Sequence, residues 1–281
     1  MILNLDNNFN PYPNEKSITY EMFTFSGGEP HIKIQSDLSR VNEVTITQRV
    51  KSFNDVGKIL IAVNALRGAG VQEVNLLLPY FPGARQDRFM VNGEALTVKV
   101  YTDLFNQLSF KSVIIFDPHS DVTPALLNNP IVVENYRFIE KVIAKIGSSI
   151  LLVSPDGGAL KKIYKLASYL NKYNVIECSK SRDVNSGKLS AFKVYADNLE
   201  GKDCLIVDDI CDGGRTFIGL AQELKSKNCG KLYLAISHGI FSKGLRELSN
   251  QYEMIFTTNS FSDFEDVDSL TQINFDYGLL S

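Results

Sequence analysis

Leu205-Ile206-Val207-Asp208-Asp209-Ile210-Cys211-Asp212-Gly213-Gly214-Arg215-Thr216 is the stretch that decides how this sequence folds. Three apolar residues make a buried strand, and acidic residues appear where that strand leaves its sheet. In open α/β sheets the carboxyl end of a strand is where ligands bind. Gly213 and Gly214 let the backbone approach a ligand closely and adopt positive φ. Thr216 is placed to cap the following helix, whose free N–H groups form an anion site. The loop thus offers amides to a phosphate, while Asp208 and Asp209 suit vicinal hydroxyls or a metal-bound sugar. The alternative is a helix-entry turn with solvated carboxylates, which leaves two adjacent acids after a hydrophobic strand without a reason.

Outward from this stretch, short β-branched runs alternate with helical ones, which indicates α/β architecture with parallel sheets. The strands expected are Val44–Thr47, Val74–Leu78, Val113–Phe116, Ile150–Val153, Val175–Glu177, Leu205–Val207 and Leu232–Ile236. Helices fit Asn54–Arg67, Leu96–Leu108, Phe138–Lys145, Gly158–Leu170 and Thr216–Lys227. In the first helix Val56, Ile59, Leu60, Val63 and Leu66 recur at three- and four-residue spacing, so one face is buried. Near the start, Ile18–Phe25 and His31–Ile34 flank Ser26-Gly27-Gly28 as a hairpin. Two halves emerge, joined near Asn128–Arg137, where Asn128-Asn129-Pro130 is a turn signal. The expected domains are 1–135 and 136–281.

The 281 residues suffice for one large or two medium domains, each with a core. A net charge of −3 argues against broad nucleic-acid binding. The N-terminus has no basic segment followed by an apolar stretch, and no apolar run approaches the ~20 residues a bilayer span needs. Four cysteines without a CxxC pair fit reduced thiols in the cytoplasm.

Other constellations carry charge to strand ends. Arg85-Gln86-Asp87 places a cation and two hydrogen-bonding groups on a loop that Pro79 and Pro82 keep out of a sheet, suited to an adenine ring and a polyphosphate or to a surface salt-bridge turn. His119 follows a strand, where imidazole can meet a metal or a polyphosphate. Asp156, before two glycines and a helix, repeats that geometry in the second half. Lys180 and Arg182 sit two apart, so an extended backbone projects both to one side. An anion would join them; an exposed basic loop is the plainer alternative. His31 and Cys211 read as structural, and His238 ends a strand near the sugar site, in reach of a nucleotide, a metal or a neighbouring chain.

The Leu205–Thr216 stretch resembles the phosphoribosyl-diphosphate-binding motif of type I phosphoribosyltransferases and ribose-phosphate diphosphokinases. Leu78-Pro79-Tyr80-Phe81-Pro82-Gly83-Ala84-Arg85-Gln86-Asp87-Arg88 looks like the diphosphokinase signature. Asp117-Pro118-His119, Val153–Gly158, Lys180-Ser181-Arg182 and Ser237–Ser242 follow in that family's order, and Phe25-Ser26-Gly27-Gly28-Glu29 falls at its nucleotide-contacting hairpin. The resemblance runs from about Phe25 to Leu279. It implies two tandem phosphoribosyltransferase type I-like domains, each a mainly parallel sheet flanked by helices, the first contacting nucleotide and the second ribose phosphate.

The implied reaction is diphosphoryl transfer from ATP to the anomeric hydroxyl of ribose 5-phosphate. The resemblance assigns Lys180 and Arg182 to catalysis and Phe25, Glu29, Arg85, Gln86, Asp87 and His119 to ATP. It assigns Asp208, Asp209, Asp212, Gly213, Gly214, Arg215 and Thr216 to ribose 5-phosphate. Mg²⁺ is the implied cofactor, on His119 and Asp156, in a homo-oligomer whose active site lies near a subunit interface. Three departures stand out. Gly27 replaces the usual acid of the hairpin, Phe89–Glu94 lacks the usual extra basic residues, and the sequence stops at Ser281, about where the family continues into a last helix. The alternatives are a catalytically weak regulator of a true synthetase and a phosphoribosyltransferase that joins a base to the sugar.

Overall fold

Period-two and period-3.6 apolar patterns become two sets of elements around two hydrophobic cores. The computed structural model describes residues 1–281 except 148, 172, 183–188, 266, 277, 278, 280 and 281, and describes backbone alone at 181, 182 and 189–191. The chain divides into two compact units. One holds Met1–Glu134 and the residues from Asn274 onward, and the other holds Asn135–Ile273.

In the first unit, β1 (Ile2–Asn4) is followed by the hairpin of β2 (Tyr20–Thr24) and β3 (Pro30–Ile34), then β4 (Glu43–Thr47), α1 (Phe53–Gly68) and β5 (Glu73–Leu78). After these come α2 (Thr97–Gln107), β6 (Ser112–Phe116), α3 (Val122–Leu126) and β7 (Pro130–Val133). The main sheet has the order β1-β4-β5-β6-β7, and every neighbouring pair is parallel. Helix α1 buries Val56, Ile59, Ala62, Val63 and Leu66, the face its spacing requires. Its entrance is closed by Asp55, whose Oδ2 accepts from the Ser52 N–H at 3.0 Å. The chain returns to this unit through Phe275, whose ring packs 4.9 Å from Phe116 and 6.2 Å from Phe9.

The second unit runs α4 (Tyr136–Ile146), β8 (Ile150–Ser154), α5 (Leu160–Leu170), β9 (Val175–Arg182), β10 (Leu189–Val194) and β11 (Asp203–Cys211). It continues with α6 (Arg215–Ser226), β12 (Leu232–Gly239), α7 (Arg246–Ser249), β13 (Met254–Thr258) and β14 (Leu270–Ile273). Its sheet order is β10-β9-β8-β11-β12-β13-β14, parallel except for the β9–β10 pair. The central strands β8 and β12 are buried at every position, as strands covered on both faces must be.

Helix α6 is pinned from below by Tyr252, a buried side chain whose hydroxyl donates to the Phe217 carbonyl at 2.6 Å. Burial raises the Tyr252 phenol well above its ordinary value of 10.0. The stability this contributes is present below the unfolded value and is lost as pH rises through the folded one. Tyr252→Phe is expected to cost about 1 kcal/mol in urea unfolding at neutral pH, and to blunt the loss of stability in alkali.

Candidate functional site

β11 runs on past Val207, because β12 also continues and keeps it paired at Ile210↔His238 and Cys211↔Gly239. Asp208 and Asp209 therefore lie within the strand, not after it. On the other side β8 pairs only as far as Val153↔Ile206, so this edge of β11 opens at the two acids. Successive strand residues point to opposite faces, and Asp209 is the more deeply buried of the two. The Asp209 N–H donates to Asp208 Oδ1 at 3.0 Å. Burial, then the Asp209 charge, then a side-chain hydrogen bond to Asp209 and the charge of Asp156 hold the Asp208 carboxyl well above the ordinary carboxylate range. Hydroxyl donors or a cation would relieve this crowding of negative charge.

The glycine loop follows. Gly214, at φ +76°, is the N-cap of α6, and its carbonyl accepts the first helical bond from Ile218 N–H at 3.0 Å. Thr216 is thus the second helical residue and does not occupy the cap expected for it; Gly214 takes the left-handed turn that ends the loop. The first N–H groups of the helix are left for an anion, with the exposed Arg215 at its first position. A Cβ at Gly214 would stand 3.1 Å from Leu248, so the loop is seated on α7. Asp212 is bound to the segment after β12. The Ser242 hydroxyl donates to its Oδ1 at 2.5 Å, and the Ser242 N–H to its carbonyl at 3.1 Å. A Cβ at Gly213 would lie 3.5 Å from Lys243 Cγ. Ser242 closes the Ser237–Ser242 motif named from the sequence, and Lys243 lies one residue beyond it. The signal for their approach to the loop was that parallel neighbours β11 and β12 end together, so the residues after each must meet.

Lys180 lies on β9, opposite Phe192 of β10, and the strand stays extended through Arg182, opposite Leu189. The Lys180 ammonium forms an ion pair with Asp156 Oδ2. Asp156 Oδ1 accepts from Gly158 N–H at 2.9 Å and from Ala159 N–H at 3.2 Å, capping the approach to α5. Lys180, Asp156 and the Asp208–Asp209 pair are therefore neighbours at one end of the second sheet. The Arg182 side chain lies outside the described residues.

In the first unit, Phe25 is 54% exposed at the hairpin tip, its ring 5.1 Å from Phe23 and 5.7 Å from His31. Gly27 makes room for Glu29, whose Oε2 would lie 2.6 Å from a Cβ at that position. A carboxylate thus still occupies the space beside Gly27, supplied from two residues on. Arg85 and Gln86 point to solvent, whereas Asp87 turns inward. Its carboxylate accepts from Arg88 Nε at 2.8 Å. The Arg88 bond first, then a bond from Ser120, with the His119 charge contributing least, hold the Asp87 carboxyl below its usual value. Asp87 thereby also ties its loop to the segment that carries His119. His119 itself is exposed, just beyond Asp117, whose φ of +38° turns the chain out of β6.

Two further sequence features are buried. His238 is buried, with Nδ1 2.7 Å from Ser260 Oγ. Burial raises the Cys211 thiol to about 12, so it is no nucleophile near neutral pH.

For a metal, no three His, Cys, Asp or Glu side chains cluster among the described residues. Mg²⁺ asks for less, since it binds through one or two carboxylates together with substrate phosphates and water. Asp156, beside Asp208 and Asp209, offers oxygen donors of that kind, and the residues fit. The nitrogen of His119 suits a hard cation less well.

The model of the "N-terminal domain of ribose phosphate pyrophosphokinase" matches residues 8–108, and that of the "Phosphoribosyl transferase domain" matches 124–268. The ribose-phosphate pyrophosphokinase of Mycoplasmopsis pulmonis is 27% identical over 215 residues, 75% of this chain and 67% of the relative. That of Thermococcus kodakarensis is 28% identical over 249 residues, 87% and 86% of the two chains. The crystal structure of phosphoribosylpyrophosphate synthetase from Mycobacterium smegmatis shares the fold at a TM-score of 0.82, with 20% identity, covering 98% of this chain and 94% of that one.

The crowded acids predict a pH effect. Because the Asp208 carboxyl is raised from 3.8 in the folded state, its stabilising protonation is complete below the unfolded value and lost as pH rises through the folded one. Asp208→Asn is expected to melt at a higher temperature than wild type at neutral pH, with the gap closing as the medium is acidified. Thermal melts across that range, followed by circular dichroism, test it; a gap that widens in acid contradicts the assignment.

Proposed function

The chain belongs to the ribose-phosphate pyrophosphokinase family, and on that premise we propose how its residues perform the transfer of a diphosphoryl group from ATP to ribose 5-phosphate. The observation that carries this reading is the acid pair of β11 running into a glycine-capped helix entrance, in a chain whose residues 8–108 match the family's N-terminal domain. The alternatives, a regulatory relative and a base-joining transferase, are not favoured.

The second unit is assigned the sugar phosphate. The 5-phosphate takes the free amides at the start of α6, with Arg215 and Thr216 beside it and Asp212, Gly213 and Gly214 shaping the loop. Asp208 and Asp209 accept hydrogen bonds from the ribose hydroxyls, which offsets their mutual repulsion. The first unit is assigned the nucleotide. Phe25 offers a ring face to adenine, Glu29 an acceptor, and Arg85 and Gln86 polar contacts. His119 is held towards the polyphosphate by Asp87.

The anomeric oxygen attacks the β-phosphorus and gives up its proton to solvent as the bond from that phosphorus to the α,β-bridging oxygen breaks, so AMP departs with the bond's electrons. Such chemistry depends on positioning and charge neutralisation rather than on a covalent intermediate. Lys180 exchanges Asp156 for the transferring group, and Arg182 lies two residues along the same extended strand, so both cations stabilise the charge that develops there. Asp156, freed from Lys180, would offer an oxygen donor to Mg²⁺, His119 is assigned to the metal by the family resemblance alone, and the bound ion would neutralise polyphosphate charge. A homo-oligomer with its site near a subunit interface, and a cytoplasmic location, follow from the family resemblance. No described helix is long and apolar enough to cross a membrane.

Incubation with ATP, Mg²⁺ and ribose 5-phosphate should yield AMP and phosphoribosyl diphosphate in equal amounts. Lys180→Ala is expected to lower kcat by about a hundredfold or more. Wild-type AMP release no greater than that of the variant would overturn the activity.

A further inference from the structure

Helix α6 carries Gly219 one turn beyond the phosphate loop, although glycine is disfavoured inside a helix. Its place is explained by a ring. A Cβ at Gly219 would stand 2.3 Å from Cε2 and 2.8 Å from Cδ2 of Phe192, so the ring rests on bare helix backbone. Phe192 is the register partner of Lys180 across the β9–β10 pair. Directly opposed residues of an antiparallel pair share one face of the sheet, so the ring and the Lys180 stem lie on the same side. The helix they meet is anchored elsewhere, through the Tyr252 hydroxyl on the Phe217 carbonyl at 2.6 Å and through Leu248 against Gly214. A hairpin thus leans, through one ring, on the helix whose first residues frame the phosphate loop.

We propose that Phe192 and Gly219 form a positioning contact that sets the height of the Lys180 strand above the phosphate loop. The contact touches no substrate. It registers the cation against the loop assigned to the sugar phosphate, and it rests on the reading of Lys180 as a catalytic residue. A β-carbon at Gly219 would lift the ring and displace Lys180 along with it, while leaving the phosphate loop in place.

The test is steady-state kinetics on the full chain, with Gly219→Ala, Phe192→Leu, the double variant Gly219→Ala/Phe192→Leu, and Lys180→Ala. Gly219→Ala is expected to lose about tenfold to a hundredfold in kcat, the penalty of a catalytic group misplaced by an ångström or so. The KM for ribose 5-phosphate should stay within about twofold of wild type, because the loss falls on the transition state. Phe192→Leu, which leaves a gap without a clash, should lower kcat several-fold and stands in if Gly219→Ala does not fold. The double variant should recover most of the Gly219→Ala loss. Unchanged kcat in Gly219→Ala or Phe192→Leu, a loss confined to KM, or a double variant no better than Gly219→Ala would each overturn the proposal. An undiminished Lys180→Ala overturns the Lys180 assignment and the proposal with it. An impaired Lys180→Ala beside an unchanged Gly219→Ala overturns the positioning contact alone.

Discussion

Carrying two carboxylates to the end of a buried strand without losing the strand is the constraint on which this site depends. β11 meets it by keeping its partner on one side only. β12 stays paired to Gly239, while the pairing with β8 has already ended at Ile206. The backbone of Asp208 and Asp209 is therefore held by the sheet, yet an edge is open beside them. The same arrangement makes the acids costly, since burial and mutual repulsion both disfavour the charge on Asp208. A site crowded in this way is set to gain from hydroxyl donors or a cation.

The surrounding elements follow from that strand. Gly214 turns the chain sharply enough for α6 to start beside the acids, and Leu248 and Tyr252 hold the helix in place. Lys180 reaches the same end of the sheet on β9, where Asp156 is its partner. The first unit uses a related device at the end of β6. There Asp117 takes a positive φ and Asp87 braces the segment that presents His119. In both units a rigid parallel sheet positions charged groups on the short segments that leave it, which is where such folds place their chemistry.

Much of this was legible in the order of residues, for physical reasons that also mark the boundary of what was not. Alternation of β-branched runs with amphipathic helices reveals two parallel sheets, because burial on both faces demands continuous apolar strands. Strand ends were less legible. β11 and β9 continue through polar residues because neighbours β12 and β10 pair with them, and pairing across the chain overrides local propensity. Pro130 read as a turn yet begins β7, an edge strand whose first position tolerates proline. The return of the residues from Asn274 to the first unit depends on Phe275 meeting Phe9 and Phe116, contacts that no local pattern announces. Within the site, Asp208, Asp209 and the two glycines stand out in sequence because two adjacent acids directly after a run of apolar residues are uncommon. Ser242, Lys243 and the seat of Phe192 on Gly219 come from separate segments that only the fold brings together.

We propose that the end of β11 and the entrance of α6 bind a sugar phosphate. Calorimetric titration of ribose 5-phosphate into the full chain and into a Gly214→Ala variant tests it most directly. Alanine at this position needs a left-handed backbone and meets Leu248 at 3.1 Å, so the loop cannot keep its shape. Binding to wild type that weakens at least about tenfold in the variant, equivalent to ~1.4 kcal/mol, is the result this account predicts. Equal affinity in the two proteins would contradict it.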